Sequence, residues 1–312
     1  MKSDLIKISH WEITKRCNLS CIHCISAKGN IQELNTNDAL EVIEKLDKLG
    51  CKELYITGGE PLIRNDIFLL LRKAKEKEMK IGLLTNGILI DKKNILLLKS
   101  YLNEIGISID GSCSRVNDKI RGQGTYKKIL KTISLIQKYK IPLTLYVTLN
   151  NLNLLDFKRI ITFTKSLNIR LIRVNEISLR GRAYKNKKIL RIKKKNLRNY
   201  LLKTFHKLNS NKLKKENPII YNKCECNSST IFLSPNGYIY PCIEVFQTSP
   251  SYHLGNIKNI DIDILKTNLR KIVKFSNSKK NKCPYEVFNI KNFVFCLNKS
   301  KITKCVLSQR KI

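Results

Sequence analysis

From Ile6 to Asn175 the chain alternates two hydrophobic patterns: short β-branched runs, and stretches whose apolar residues recur every three or four positions. The runs predict strands at Ile6–Ile13, Leu54–Thr57, Ile81–Thr85, Ile105–Asp110, Leu143–Thr148 and Ile169–Val174. Between the first two lies a helical period: Ala39, Val42, Ile43, Leu46 and Leu49. It opens on the cap-like Asn35-Thr36-Asn37-Asp38 and stops at Gly50. Further helices are predicted through Ile67–Leu71 and near 92–102, 125–139 and 154–167. Strands alternating with helices describe a parallel α/β domain, and right-handed crossovers wind it into a partial (β/α)6, TIM-like barrel.

In such barrels the chemistry collects on the loops after the strands. The unusual residues lie there. Cys17–Cys24 follows the first strand, Gly58-Gly59-Glu60-Pro61 the second, Thr85-Asn86-Gly87 the third and Ser108-Ile109-Asp110-Gly111 the fourth. After Gly181 the pattern changes. Residues 180–216 carry fifteen Lys/Arg and one acidic residue, with helical spacing around Leu197, Leu201, Leu202, Phe205 and Leu208. The predicted organisation is a barrel over 1–182, a basic helical linker over 183–216 and a cysteine-rich domain over 217–312.

Composition narrows the class. With 42% hydrophobic residues the chain buries a real core, which excludes a disordered polymer. Its 60 Lys+Arg against 24 Asp+Glu give +36, a charge suited to nucleic acid, an anionic membrane or an acidic peptide. Lys, Asn and Ile are all abundant along the whole chain, however, the mark of an AT-rich coding bias that needs no partner. Neither a signal peptide nor an apolar run of about 18 residues is present, so a cytoplasmic protein is expected. In a reducing compartment eleven cysteines point to metal rather than disulfides. Three lie within Cys17–Cys24 and six beyond position 223, while Cys51 and Cys113 stand alone. Cys51, at a helix end, reads as a small buried hydrophobe. Cys113 lies on the active face, where a thiol can return a hydrogen atom to a substrate radical, although a half-buried loop cysteine is the simpler reading.

Cys17-x3-Cys21-x2-Cys24 supplies three thiolates in one loop. On spacing alone it suits an iron–sulfur cluster with one open iron, or a structural zinc. The run Trp11–Cys24 resembles the cluster loop of the radical S-adenosylmethionine (SAM) superfamily. Gly58-Gly59-Glu60-Pro61 resembles its second signature, and Ser108–Gly111 with Asn117–Gly122 resembles its fourth-strand region. The likeness runs from about Ile8 to the Gly181-Arg182 step. It implies a 4Fe–4S cluster on Cys17, Cys21 and Cys24, with SAM chelating the remaining iron. Gly58, Gly59, Glu60, Pro61, Ser108, Asp110 and Arg121 are the residues assigned to SAM. Paired glycines let backbone approach a ligand, and Glu60 can accept from an ammonium. Ser108 and Asp110 share strand parity and so point inward together, and Arg121 offers a fork to a carboxylate. His23 reads as a loop residue, not a ligand.

The second cysteine region centres on Ile231–Cys242, read as a hairpin turning at Asn236-Gly237. It resembles the auxiliary-cluster (SPASM or twitch) domain of some radical SAM enzymes. That pattern assigns Cys224, Cys226, Cys242 and Cys296 to one auxiliary 4Fe–4S cluster, and leaves Cys283 and Cys305 too few for another. The resemblance implies an enzyme that cleaves SAM reductively and abstracts hydrogen from a peptide or protein being matured. A flavodoxin or ferredoxin would be the reductant, and either a separate recognition protein would present the substrate or the substrate would need none. Two alternatives stand beside it: tetrapyrrole or redox-cofactor maturation, and an RNA-binding protein resting on the charge.

Overall fold

The structure is a computed structural model that describes residues 6–25, 31–169, 171–192, 219–221, 230–241, 243, 246, 251 and 253–269. Its first half repeats one unit. Strand β1 (Ile8–Glu12) leads through the cysteine loop to helix α1 (Thr36–Lys48), then β2 (Glu53–Thr57) and α2 (Ile67–Glu76). There follow β3 (Lys80–Thr85), α3 (Ile95–Tyr101), β4 (Glu104–Ser108), α4 (Ser114–Arg121), α5 (Thr125–Lys138), β5 (Leu143–Leu149), α6 (Phe157–Ser166) and β6 (Leu171–Glu176). Helix α1 starts where expected because the Asn35 side chain accepts the Asp38 N–H at 2.9 Å. Its buried face is the predicted one, Ala39, Val42, Ile43 and Leu46. Gly50, at φ 89°, lets the chain turn back towards β2.

The six strands are parallel and neighbours in chain order. Alternate residues on each strand (Trp11, Leu54, Ile56, Ile81, Leu83, Ile105, Ile107, Leu145, Val147, Ile172 and Val174) join one buried core with the helices. The opposite faces look into the concave lumen. The sheet does not close: its order is β7-β6-β5-β4-β3-β2-β1-β8-β9. Both outer positions come from the C-terminal third. Strand β7 (Ile219–Tyr221) lies parallel on β6, and β8 (Thr230–Leu233) lies parallel on β1. Strand β9 (Ile239–Tyr240) returns antiparallel to β8 across the expected turn, with Gly237 at φ 84°. The two parts interlock further, since Leu34 donates its N–H to Pro235 and Lys45 Nζ donates to the Ile257 and Lys258 carbonyls.

Four elements differ from expectation. Strand β4 stops at Ser108, two residues early, because Asp110 leaves the ladder: its N–H donates to Asn117 Oδ1 and its carboxylate accepts the Thr148 N–H. Helix α4 was not read from the pattern, since its buried face is Asn117, Ile120 and Arg121, only one of them apolar. Two short helices, α7 (Gly181–Lys185) and α8 (Lys187–Leu190), occupy the start of the predicted linker. The helical reading around 197–208 lies outside the described residues, as do Cys224, Cys226, Cys242, Cys283, Cys296 and Cys305. Among the described residues no helix is long and apolar enough to cross a membrane.

Candidate active site

The cysteine loop leaves β1 at its C-terminal end and is gripped from four sides. The first grip is backbone. The β1–β2 ladder continues past both strands: Ile13 N–H donates to Thr57, Gly59 N–H to Thr14 at 2.7 Å and Glu60 N–H to Arg16 at 2.8 Å. This is why the glycines are needed. A Cβ on Gly59 would lie 2.1 Å from the Arg16 carbonyl oxygen, and one on Gly58 would lie 2.7 Å from that of Thr14. The close approach inferred for a ligand is thus made to the cysteine loop itself. Helix α4 provides the second grip, with Ile22 N–H on the Ile120 carbonyl and the Cys21 thiol 3.7 Å from the Arg121 carbonyl. Helix α7 provides the third. Ala183 N–H donates to Cys24, Arg182 Nε to the Cys21 carbonyl at 2.9 Å and Asn186 Nδ2 to that of Ile22. Gly181, at φ +52°, sits so close that a Cβ would meet the Ile25 oxygen at 2.6 Å.

The fourth grip closes the base of the loop. Glu33 accepts from the Thr14 hydroxyl, the Lys15 N–H and Arg16 Nε. Buried Arg64 donates from Nη1 to both Ile13 and Leu34, while Nε and Nη2 hold Asp66 at 2.8 and 2.6 Å. Neither residue was singled out from the sequence. Arg64 follows the Gly58–Pro61 motif by three residues, and an arginine so near a buried turn was the available signal.

Three thiols result, close enough that charge on one raises another. Burial pushes the Cys17 and Cys21 thiols up, the neighbouring thiols add to this, and Arg121 opposes it at Cys21. Cys17 Sγ also receives the Leu19 N–H at 3.4 Å and the Asn86 amide at 3.9 Å, donors that favour thiolate. A zinc ion would need its ligands converged at about 2.3 Å from one point. An iron–sulfur cluster instead takes each sulfur on a different iron, and three thiols on one loop fit such all-thiolate ligation.

Glu60 is fully buried, and its carboxylate accepts from the Thr85 hydroxyl at 2.7 Å, Asn86 N–H at 2.8 Å and Leu62 N–H at 3.1 Å. Burial raises its pKa and these donors hold it down. It thereby pins the end of β3 to the second loop, while Pro61 begins a single 3-10 turn. Ser108 is half-buried at the end of β4. Asp110 does not share its strand. It is wholly buried, with Oδ2 lying 2.7 Å from Arg121 Nε and 3.2 Å from His23 Nε2. Asp110 and Arg121 meet each other as an ion pair beneath the cysteine loop. Burial lowers the His23 pKa to about 4, so the ring is neutral near pH 7. Cys113 caps α4 and is half-buried. Cys51 is buried, donates to the Glu53 carbonyl and has its pKa pushed to about 12, as a packing residue would.

A partial parallel barrel with three thiols on its first loop is the architecture of the radical SAM proteins. The Radical SAM superfamily model matches residues 11–164, and that of an iron–sulfur cluster-binding domain matches residues 224–285. The chain belongs to the radical SAM superfamily and carries a SPASM domain. Its cofactors are accordingly a 4Fe–4S cluster with SAM, and auxiliary iron–sulfur at the C-terminal end. It is 33% identical over 180 residues to the Fe-coproporphyrin III synthase of Methanosarcina barkeri, covering 56% of this chain and 45% of that one. Against the mycofactocin maturase MftC of Mycolicibacterium smegmatis it is 32% identical over 152 residues, covering 47% and 39%. The matched parts thus span less than half of either relative. Among solved structures, SuiB of Streptococcus suis bound to SAM superposes with a TM-score of 0.68 at 18% identity, covering 89% of this chain and 75% of that one. The enzyme anSMEcpe with bound SAM and a peptide gives 0.70 at 19%, covering 88% and 86%.

Proposed function

We propose that the protein is a radical SAM enzyme acting on a peptide or protein substrate. Three parts are assigned: a barrel over 1–182, a basic linker over 183–216 and an auxiliary-cluster domain over 217–312. Cys17, Cys21 and Cys24 would hold the 4Fe–4S cluster, and the single observation that carries this is the fourfold grip on their loop. When bound, this cluster and SAM supply a 5′-deoxyadenosyl radical by one-electron cleavage, for abstraction of a substrate hydrogen. The remaining work belongs to this chain's residues. Glu60 fixes the loops after β2 and β3 side by side. Asp110 holds the Arg121 fork, which with Gly58, Gly59, Pro61 and Ser108 is assigned to SAM. The auxiliary cluster is assigned to Cys224, Cys226, Cys242 and Cys296; the family match takes in the first three and ends before Cys296. Cys113 is the candidate hydrogen donor.

Anaerobically reconstituted protein with dithionite should release 5′-deoxyadenosine, and the triple Cys→Ala variant at 17, 21 and 24 should not. Equal release from both, or zinc as the sole metal in anaerobically purified protein, rejects the assignment. For the auxiliary cluster, Cys242→Ala should lose about half of some eight irons per chain, whereas Cys283→Ala should keep them. A second reading, tetrapyrrole maturation, is favoured by the synthase relative, whose match is the longer of the two.

A further inference from the structure

The lumen of the partial barrel is not apolar. Register and alternation place His10, Tyr55, Gly82, Gly106, Ser108, Tyr146 and Arg173 on the faces opposite the helix-packed core. His10 and Tyr55 stack with centroids 5.0 Å apart. The two glycines make room for two rings: a Cβ on Gly82 would lie 2.5 Å from the Tyr55 ring, and one on Gly106 would lie 2.5 Å from that of Tyr146.

Arg173 is the exception in this lining. It is the third residue of β6, with Ile172 and Val174 facing the core on either side. Its Nε is shut off from solvent and has no hydrogen-bond partner, and no ion pair to its guanidinium occurs among the described residues. Its charge reaches across the lumen to the Tyr55 phenol. Three strand carboxylates share this face: Glu12, held by Lys15 Nζ at 2.9 Å, and Glu53 and Glu104, which begin β2 and β4 at the end remote from the cysteine loop. Glu53 is engaged by the Tyr55 hydroxyl at 3.3 Å. A guanidinium that faces a polar lumen with its buried Nε unbonded is costly unless an anion arrives there.

Ser108, Tyr146 and Arg173 are register partners across β4, β5 and β6. Successive strands are about 4.8 Å apart, so Arg173 stands roughly 10 Å along the row from the serine assigned to SAM. An anionic group there would leave the carbons next to it beside the SAM site.

We propose that Arg173 is the substrate-anchoring residue and that it receives a carboxylate of the substrate. This rests on the reading of the barrel mouth as the place of radical chemistry, and it narrows the substrate to one carrying a carboxylate close to the reacting carbon. A propionate on a tetrapyrrole and an acidic or C-terminal carboxylate on a peptide both satisfy it.

The test is equilibrium binding to the full chain without reductant, so that its failure is separate from a failure to cleave SAM. Two probe pairs are used: coproporphyrin III against its tetramethyl ester, and a glutamate-rich hexapeptide against its fully amidated form. One free acid should bind wild type at least about tenfold more tightly than its neutral form. Arg173→Gln should abolish that preference, and Arg173→Lys should restore part of it with an unchanged far-ultraviolet spectrum. Whichever acid binds identifies the source of the carboxylate. Absence of binding by both acids, an undiminished preference in Arg173→Gln, or loss of SAM affinity in its place overturns the proposal.

Discussion

Arg64 donates from one nitrogen to the carbonyls of Ile13 and Leu34, at 3.2 and 3.1 Å, and so draws together the two ends of the cysteine loop. The same guanidinium holds Asp66, which in turn accepts from the Thr36 hydroxyl at the start of α1. Arg64→Met would leave two carbonyls and a largely buried carboxylate without their donor. Breaking such a pair costs about 3 kcal/mol, read from urea denaturation of the purified chain. Iron uptake on reconstitution should fall with it, and Arg64→Lys should recover part of both.

Gly59 and Gly124 make a matched pair of substitutions. At Gly59 a methyl collides with backbone at 2.1 Å, so Gly59→Ala must force the second loop away from the first. At Gly124 nothing lies within 4 Å, and only the left-handed φ of +75° opposes a side chain. Gly124→Ala should therefore cost about 1 kcal/mol with iron content unchanged. Gly59→Ala should lose most of its iron.

The Asp110–Arg121 pair suits a double-mutant cycle. Arg121→Gln leaves Asp110 buried without its cation, and Asp110→Asn does the converse. Each should destabilise by about 3 kcal/mol, and the double variant by clearly less than the sum. Additivity would show that the two charges do not stabilise each other.

Glu44 on α1 holds Lys73 and Lys77 near α2, each at 2.6 Å, and their hydrogen bonds lower its pKa from 4.5 to about 2. A depressed folded-state pKa means that the unfolded chain takes up the proton first as pH falls. The contribution is whole above pH 4.5 and disappears between 4.5 and about 2. Solvent reaches this pair, so its worth stays below about 1 kcal/mol. Glu44→Gln should lower stability by up to that amount above pH 4.5 and change it little near pH 2, so that the acid limb becomes flatter.

The basic stretch at 180–216 can be tested by reversing Lys193, Lys194 and Lys195 to Glu. If it draws in an acidic peptide, low-salt affinity should drop and salt should mimic the effect on wild type. An RNA partner would show a steeper salt slope. Unchanged affinity at low salt would leave the lysines as coding bias on a solvated face.

The six strands and most of the helices between them were legible because burying one face against the core leaves a strong apolar period, as in β5. Helix α4 was not, because its inward positions are Asn117 and Arg121, polar residues buried to meet Asp110 and Thr125. The cysteines and the Gly58–Pro61 motif were legible as motifs, but what the glycines touch was not, since spacing does not say whether backbone or ligand is the neighbour. Glu33, Arg64 and Arg173 went unread for a related reason. A single charged residue reads as surface until the fold supplies its surroundings, and here the fold buries Arg64 against two carbonyls and leaves Arg173 facing the lumen.

Strand β1 is the first strand in the sequence and yet waits for a partner more than two hundred positions away, since Ile8 pairs with Thr230. Until that segment is synthesised, the edge carrying the cysteine loop exposes unpaired amides and carbonyls. Pairing of such long sequence separation is slow to form and open to other chains meanwhile. The sheet beside the cysteine loop is in this way sealed only after the chain has been synthesised past Leu233.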